Sequence, residues 1–356
     1  MDILRILSMG VIVVYHFFKG LVIMQATVFT DPDIVMNGPS VHLVILAVGV
    51  FFMLSGAGLS LSMEKKESLT ANAGAPAFDF KSYYFGRFSQ ILIPFYIAYI
   101  GVLAERLIRG RINFYGVPLP SILLTVLGMD EYGSALGLRT FSVGVGEWFL
   151  GCLMLMYLVF PFIYLLMKKW DRPVLIVSCL SFIILSILYD PSYGWHMSFC
   201  IRLFEFILGM WFIKNRRLMT SLNNSRFTPV YIIFILFALA QSGLVPIPRA
   251  VLNTVAVSCI FVGSLVLELT LRKDEDPARV PGQFEKLLSM IGGYCFYVYL
   301  VHHEIIYILA ERLATRMLGR KVTLLIFAAY IVVTAAAAWV LRKIAEAAKR
   351  KLAVKK

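Results

Sequence analysis

The first chemistry in this sequence is an arginine and a histidine eleven residues apart, Arg5 and His16, in the otherwise apolar stretch RILSMGVIVVYH. On an α-helix each residue rises about 1.5 Å and turns about 100°, which puts the two about 16 Å apart on one face. An imidazole accepts and returns a proton near neutral pH, whereas a guanidinium donates several hydrogen bonds to phosphate oxygens and keeps its charge. Asp2 stands at the i, i+3 spacing that can hold that guanidinium. A second group is in GGYCFYVYLVHHEIIY, where His302, His303 and Glu304 follow one another inside an apolar run. A third is KSYYFGRFSQILIPFY, with Lys81, Arg87 and Gln90. A fourth is GEWFLGC, with Glu147 beside Trp148. Proton abstraction and anion binding fit these residue types. A metal site is not expected, because HHE lacks the HExxH spacing (position 307 is tyrosine) and no other His or Cys pair has ligand spacing.

The elements that must position these groups are membrane helices. The chain has 356 residues, of which 60% are hydrophobic and 15% charged, and a mean hydropathy of +0.80, far more apolar than a soluble domain. Apolar runs of membrane length recur from end to end, near 3–23, 41–63, 84–108, 146–167, 173–189, 198–213, 229–244, 251–271, 288–310 and 322–341. The expectation is an all-α, polytopic integral membrane bundle of about ten transmembrane helices forming one domain over 1–356. The first run carries no small-residue cleavage site and is expected to stay as a span. Most of the 34 lysines and arginines fall on one side if both termini are cytoplasmic. The net charge of +13 is thereby explained by topology and anionic lipid, and no nucleic-acid partner is expected. The five cysteines lie in apolar runs without CxxC spacing and read as packing residues. The apolar LPSILLTVLGM, between 109 and 146, is too short to span and is expected to lie on the surface or re-enter.

In that frame Arg5 stands at the inner boundary and His16 roughly halfway across a hydrocarbon core of about 30 Å. An ionisable group at that depth faces the bundle interior or a wet cavity. His302, His303 and Glu304 reach a comparable depth and need partners, His16 and Lys19 being the nearest candidates. Plainer readings stand beside these: Lys81 as an inner-face anchor, Trp148 as an interfacial anchor, Gly56 and Gly58 as packing, and Arg202–Glu205 as a structural pair. There is no P-loop, no GxSxG, no GxGxxG after a strand and no HxxxxD.

Five pieces, DILRILSMGVIVVYH, FFMLSGAGLS, YYFGRFSQILIP, EWFLGCLMLMYLVFP and YCFYVYLVHHEII, fall in the order found in the membrane-bound acyltransferase-three family, which the chain resembles from Asp2 to Ile306. Members move acyl groups, usually acetyl, onto glycans and related acceptors across bacterial membranes. The resemblance implies that Arg5 and His16 match the family's essential arginine and histidine, Arg87 the first basic residue of its third-helix motif, and His302 the histidine near the carboxyl end. Gln90 stands where many members have a second arginine, and the chain opens one residue before Asp2 where relatives carry a short basic leader, so a less charged inner mouth is expected.

The reaction this implies uses cytosolic acyl-CoA, above all acetyl-CoA, as co-substrate, with no permanently bound cofactor. The phosphates would meet Arg5 and Arg87, with Lys81 and Gln90 beside them. His16 would take the proton of an acceptor hydroxyl, directly or through an acyl-histidine, and His302 or Glu304 would orient it or touch the acceptor. Glu147, Trp148 and His303 would line the outer, acceptor side. The acceptor would be a glycan or lipid-linked sugar at the bacterial cytoplasmic membrane. Two rivals stay open: a proton-coupled secondary transporter of an anionic substrate, in which His16, His302 and Glu304 relay protons, and a sensor or assembly subunit without turnover.

Overall fold

The computed structural model of the chain describes residues 1–26, 32–36, 38–70, 78–189, 194–218, 232, 233, 236, 247–271, 282–316 and 318–354, and these form helices, turns and loops with no strand among them. In chain order the helices are α1 (Asp2–Ile23), α2 (Pro32–Met36), α3 (Pro39–Thr70), α4 (Phe80–Ile108), α5 (Ile122–Val126), α6 (Asp130–Ala135), α7 (Glu147–Leu188), α8 (Phe199–Lys214), α9 (Arg249–Leu271), α10 (Gln283–Gly292), α11 (Cys295–Arg312) and α12 (Arg320–Val354). Among the described residues, six helices are long and apolar enough to cross a membrane: α1, α3, α4, α7, α9 and α12. The chain is accordingly an integral membrane protein, all-helical among the described residues.

The expected spans 146–167 and 173–189 are the two helical arms that share the label α7, and they meet at a non-helical Trp170 (φ −137, ψ 59) that falls in the gap the sequence reading leaves between them. Pro173 supplies the cause: it has no N–H to donate back to the Trp170 region, and its ring crowds the preceding turn. The expected span 288–310 is broken into α10 and α11 by the turn at Gly293 and Tyr294, where Tyr294 donates its N–H to the Ile291 carbonyl at 2.9 Å. The last run extends past 341 to Val354, because alanine, lysine and arginine continue a helix beyond its apolar part. The expected span 229–244 lies outside the described residues except at 232, 233 and 236.

The chain divides into two compact units: Met1–Ser8 with Leu43–Phe80 and Leu155–Ser289, and Met9–His42 with Lys81–Met154 and Met290–Lys356. In the first, Leu46, Val50, Met53 and Ala57 of α3 share a buried cluster with Ile213 of α8 and Val257, Phe261 and Leu265 of α9. Gly56 and Gly209 let α3 and α8 touch backbone to backbone. A Cβ on Gly56 would lie 2.1 Å from the Phe206 carbonyl oxygen, and one on Gly209 2.1 Å from that of Met53. Small residues of this kind are what close helix packing in lipid needs.

The same unit buries Arg202 and Glu205 completely. Arg202 Nη1 donates to Glu205 at 2.8 Å, Nε to the His196 carbonyl at 2.8 Å and Nη2 to the Ile45 carbonyl at 3.4 Å, while Asn253 and Thr254 donate to Glu205. Removing one partner of such a pair leaves a buried charge uncompensated. Glu205→Ala is expected to cost about 3 to 5 kcal/mol, read as a lowered thermal midpoint in detergent. An apolar pair, Arg202→Met with Glu205→Leu, should recover most of it, and a midpoint unchanged by Glu205→Ala would contradict the assignment.

Candidate active site

The second unit assembles the site from α1, α4, α7, α11 and the connection between α4 and α7. Helices α1 and α11 approach closely at Gly20, where an added Cβ would lie 2.8 Å from Ile306 Cγ1. One turn earlier on both helices His16 and His302 meet, because i and i+4 share a helix face. On its other side α1 is held by Phe17, whose ring packs at 5.0 Å from Phe327 and 5.3 Å from Tyr330 of α12. The Tyr330 hydroxyl donates to the His302 carbonyl at 3.2 Å.

His16 Nδ1 lies 2.8 Å from His302 Nε2, a hydrogen bond between two buried rings. The proton positions follow from the partners. His302 Nδ1 lies 2.8 Å from the Tyr299 carbonyl oxygen and 3.2 Å from that of Val298, which are acceptors only, so Nδ1 carries the proton. In a neutral His302 ring Nε2 is then an acceptor, and His16 must donate from Nδ1. The second nitrogen of a neutral His16, Nε2, is thereby left with its lone pair free of a proton. That tautomer can take a proton from a substrate hydroxyl.

Glu147 opens α7 and completes the cluster. Its Oε1 lies 3.5 Å from His16 Nδ1, 4.0 Å from His302 Nε2 and 3.5 Å from His303 Nε2. This buried oxygen has no hydrogen-bond partner among the described residues, and neither has His303 Nδ1. The His303 ring packs edge-on to Tyr307 at 4.5 Å and tilted to His16 at 4.8 Å. Glu147 has φ +38, following Gly144 at +81 and Gly146 at +90. A left-handed glutamate is disfavoured and clusters where function over-determines the backbone.

The connection between α4 and α7 supplies a further pair of acids. Thr125 donates to Asp130 Oδ1 at 3.0 Å, and Glu131 Oε1 accepts the Gly144 N–H at 2.8 Å and the Ser142 hydroxyl. Burial pushes the Asp130 carboxyl up to about 6, against the Thr125 hydrogen bond. Burial likewise pushes Glu131 up to about 7, against the Gly144 N–H, with Glu147 and Asp130 adding to the rise and Arg106 opposing it.

Of the residues singled out in the sequence, His16, His302, His303 and Glu147 come together. Glu304 is buried close by but faces Arg106, which donates to it from Nη2 at 2.8 Å and from Nε at 3.3 Å. Two residues along a helix is a turn of about 200°, so Glu304 cannot share the His302 face. Trp148, half-buried, packs edge-on to Phe149 at 6.3 Å. On α4, Lys81 and Gln90 are exposed and Arg87 is partly buried, and the Gln90 carbonyl accepts from Lys349 at 3.4 Å. Arg5 belongs to the first unit, where its Nη1 donates to Asp2 at 2.7 Å. Sequence reasoning missed Arg106, Glu131 and Tyr299, whose hydroxyl donates to the Gly146 carbonyl.

His16, His302 and Glu147 also offer three ligand atoms within 4.8 Å of one another. Two histidines and a glutamate are a known zinc set, but with bonds of about 2.0 to 2.1 Å a tetrahedral site sets its ligand atoms about 3.3 Å apart. The two ring nitrogens at 2.8 Å are closer than that and hydrogen-bonded; holding zinc would require the rings to part.

A family model described as an acyltransferase domain matches residues 1–343, a range that contains every residue of this site and all five sequence pieces. No curated protein and no solved structure matches the chain.

Proposed function

We propose, from the premise that the chain belongs to the acyltransferase-three family, that it transfers an acetyl group from cytosolic acetyl-CoA to a hydroxyl of a glycan or lipid-linked sugar outside the membrane, with His16 as general base. The observation that carries the role of His16 is its hydrogen bond to a His302 ring whose Nδ1 is committed to backbone carbonyls. His16 Nε2 takes the proton of the acceptor hydroxyl as that oxygen attacks the thioester carbonyl. Collapse of the tetrahedral intermediate breaks the carbon–sulfur bond, and the departing thiolate takes the proton back from His16, leaving an ester and free CoA. Glu147, beside three imidazoles, offsets the positive charge that His16 carries between the two proton transfers. His302 orients His16. Glu304 acts through Arg106, and His303 with Trp148 is assigned to the acceptor side.

The donor end rests on residue types and on the resemblance. Arg5 and Arg87, with Lys81 and Gln90, are assigned to the CoA phosphates, which planar guanidinium groups suit. Lysine and arginine placement favours cytoplasmic termini, the resemblance assigns the chain to a bacterial inner membrane, and the match over 1–343 supports one acyltransferase-like domain.

The test is the purified protein in lipid nanodiscs with acetyl-CoA and an acceptor glycan. Free thiol should appear together with an acetyl ester, both dependent on His16. In sealed vesicles, proton-coupled uptake of an anionic substrate without thiol release would overturn the reading in favour of a transporter.

A further inference from the structure

Glu147 reaches the three histidines only because the turn before it is held in an uncommon backbone shape. Gly144 and Gly146 have φ +81 and +90, and Glu147 itself has φ +38. Such a shape persists where surroundings hold it, and three holds are visible. Tyr299 donates its hydroxyl to the Gly146 carbonyl. The Arg106–Glu304 pair lies directly against Gly144, where an added Cβ would be 3.1 Å from Arg106 Nη2 and 3.6 Å from Glu304 Oε2. The third hold comes from α6: Glu131 Oε1 accepts the Gly144 N–H at 2.8 Å and the Ser142 hydroxyl, while Ser142 Oγ stands 3.1 Å from the same N–H.

We propose that Glu131 is a positioning residue that clasps the 142–147 turn in its neutral, protonated form, so keeping Glu147 against His16, His302 and His303, and that loss of this proton loosens the clasp. The kinetic consequence rests on the acyl-transfer reading; the structural one does not. The neutral acid keeps a carbonyl oxygen able to accept both the N–H and the hydroxyl, and so does a glutamine. The groups around Glu131 are Arg106 from α4, Asp130 on its own helix, Ser142 and Gly144 in the turn, Glu147 from α7, and Tyr299 and Tyr307 from α11. Arg106 and the Gly144 N–H favour the anion; burial, Glu147 and Asp130 oppose it and prevail, raising the carboxyl from 4.5 to about 7. A carboxyl raised in the closed turn binds its proton more tightly there than when the turn opens to solvent. The contribution to closure is therefore full below about pH 4.5 and lost as pH rises through about 7.

The experiment uses the full chain in nanodiscs as wild type, Glu131→Gln and Glu131→Ala. Hydrogen exchange of residues 141–147 is followed from pH 6 to 8.5 and corrected for intrinsic exchange, and acetyl transfer is measured over the same range. The expected wild-type protection falls about tenfold across that range, stays flat and high in Glu131→Gln, and is low throughout in Glu131→Ala. The kcat of wild type should decline above pH 7, and Glu131→Gln should extend the plateau with KM for acetyl-CoA changed less than twofold. Superimposed exchange profiles for wild type and Glu131→Gln would overturn the proton dependence of the clasp, and they remain readable should Glu131→Ala misfold. Altered exchange with an unmoved kcat profile would overturn the positioning role. Absence of transfer by wild type would sink the acyl-transfer reading instead, with the exchange curves still deciding whether the clasp exists.

Discussion

Alanine at position 16 is expected to lower kcat for acetyl transfer by about 10² to 10⁴, the range a positioned general base contributes. The loss should fall on kcat and leave KM for acetyl-CoA within about threefold, because the proposed role of the imidazole is on the acceptor hydroxyl and not on the donor's phosphates. Folding is guarded by the surroundings: Gly20 against Ile306 and Phe17 against Tyr330 keep α1 in place whatever stands at 16. Size-exclusion behaviour and thermal midpoint should stay near wild type. His302→Ala should follow with a smaller loss, since a His16 whose Nδ1 no longer faces His302 Nε2 is free to turn or to carry its proton on Nε2. If His16→Ala kept wild-type turnover with purified protein and acetyl-CoA, the base would have to be sought elsewhere.

How much of this could be read from residues alone depends on the kind of contact. A histidine in mid-span is visible because charge and polarity are costly there, and the helix α1 that carries it begins within a residue of the expected start. The Arg202–Glu205 pair was readable for a similar reason: i, i+3 spacing lies within one helix and needs no tertiary knowledge. Glu304 shows the cost of reading depth without azimuth, since 100° per residue already separates it from His302 and turns it toward Arg106. Glu147 was visible as a residue but not as a neighbour of His16, because a turn of left-handed backbone at Gly144 and Gly146 carries it there, and hydropathy has no term for such a turn. Arg106 and Glu131 find partners through packing between distant segments, a relation that spacing along the chain does not encode. The break between α10 and α11 escaped for the opposite reason: an apolar run passes over Gly292 and Gly293 without a change in hydropathy, although paired glycines weaken a helix locally.

Glutamine at position 147 is the substitution that separates charge from shape. It keeps an oxygen near the positions now 3.5 Å from His16 Nδ1 and 3.5 Å from His303 Nε2, and it removes the negative charge. In the proposed reaction His16 is an imidazolium between proton uptake from the acceptor and proton return to the thiolate, and a carboxylate about 4 Å away is worth on the order of 4 kcal/mol at an effective dielectric near 20. A fall in kcat of about 10² to 10³ is therefore expected for Glu147→Gln, with little change in KM, because the interaction exists only while His16 is charged. Ionic strength should not alter the ratio, since the pair is screened from bulk salt by burial. The left-handed φ of +38 offers a competing account in which position 147 matters only for backbone shape. Glycine relieves that conformation and carries no carboxylate, so Glu147→Gly should match or exceed the loss of Glu147→Gln if charge is what counts, and should retain activity if shape is. Retention of kcat within about threefold by Glu147→Gln would show that proton transfer to His16 does not depend on the Glu147 charge.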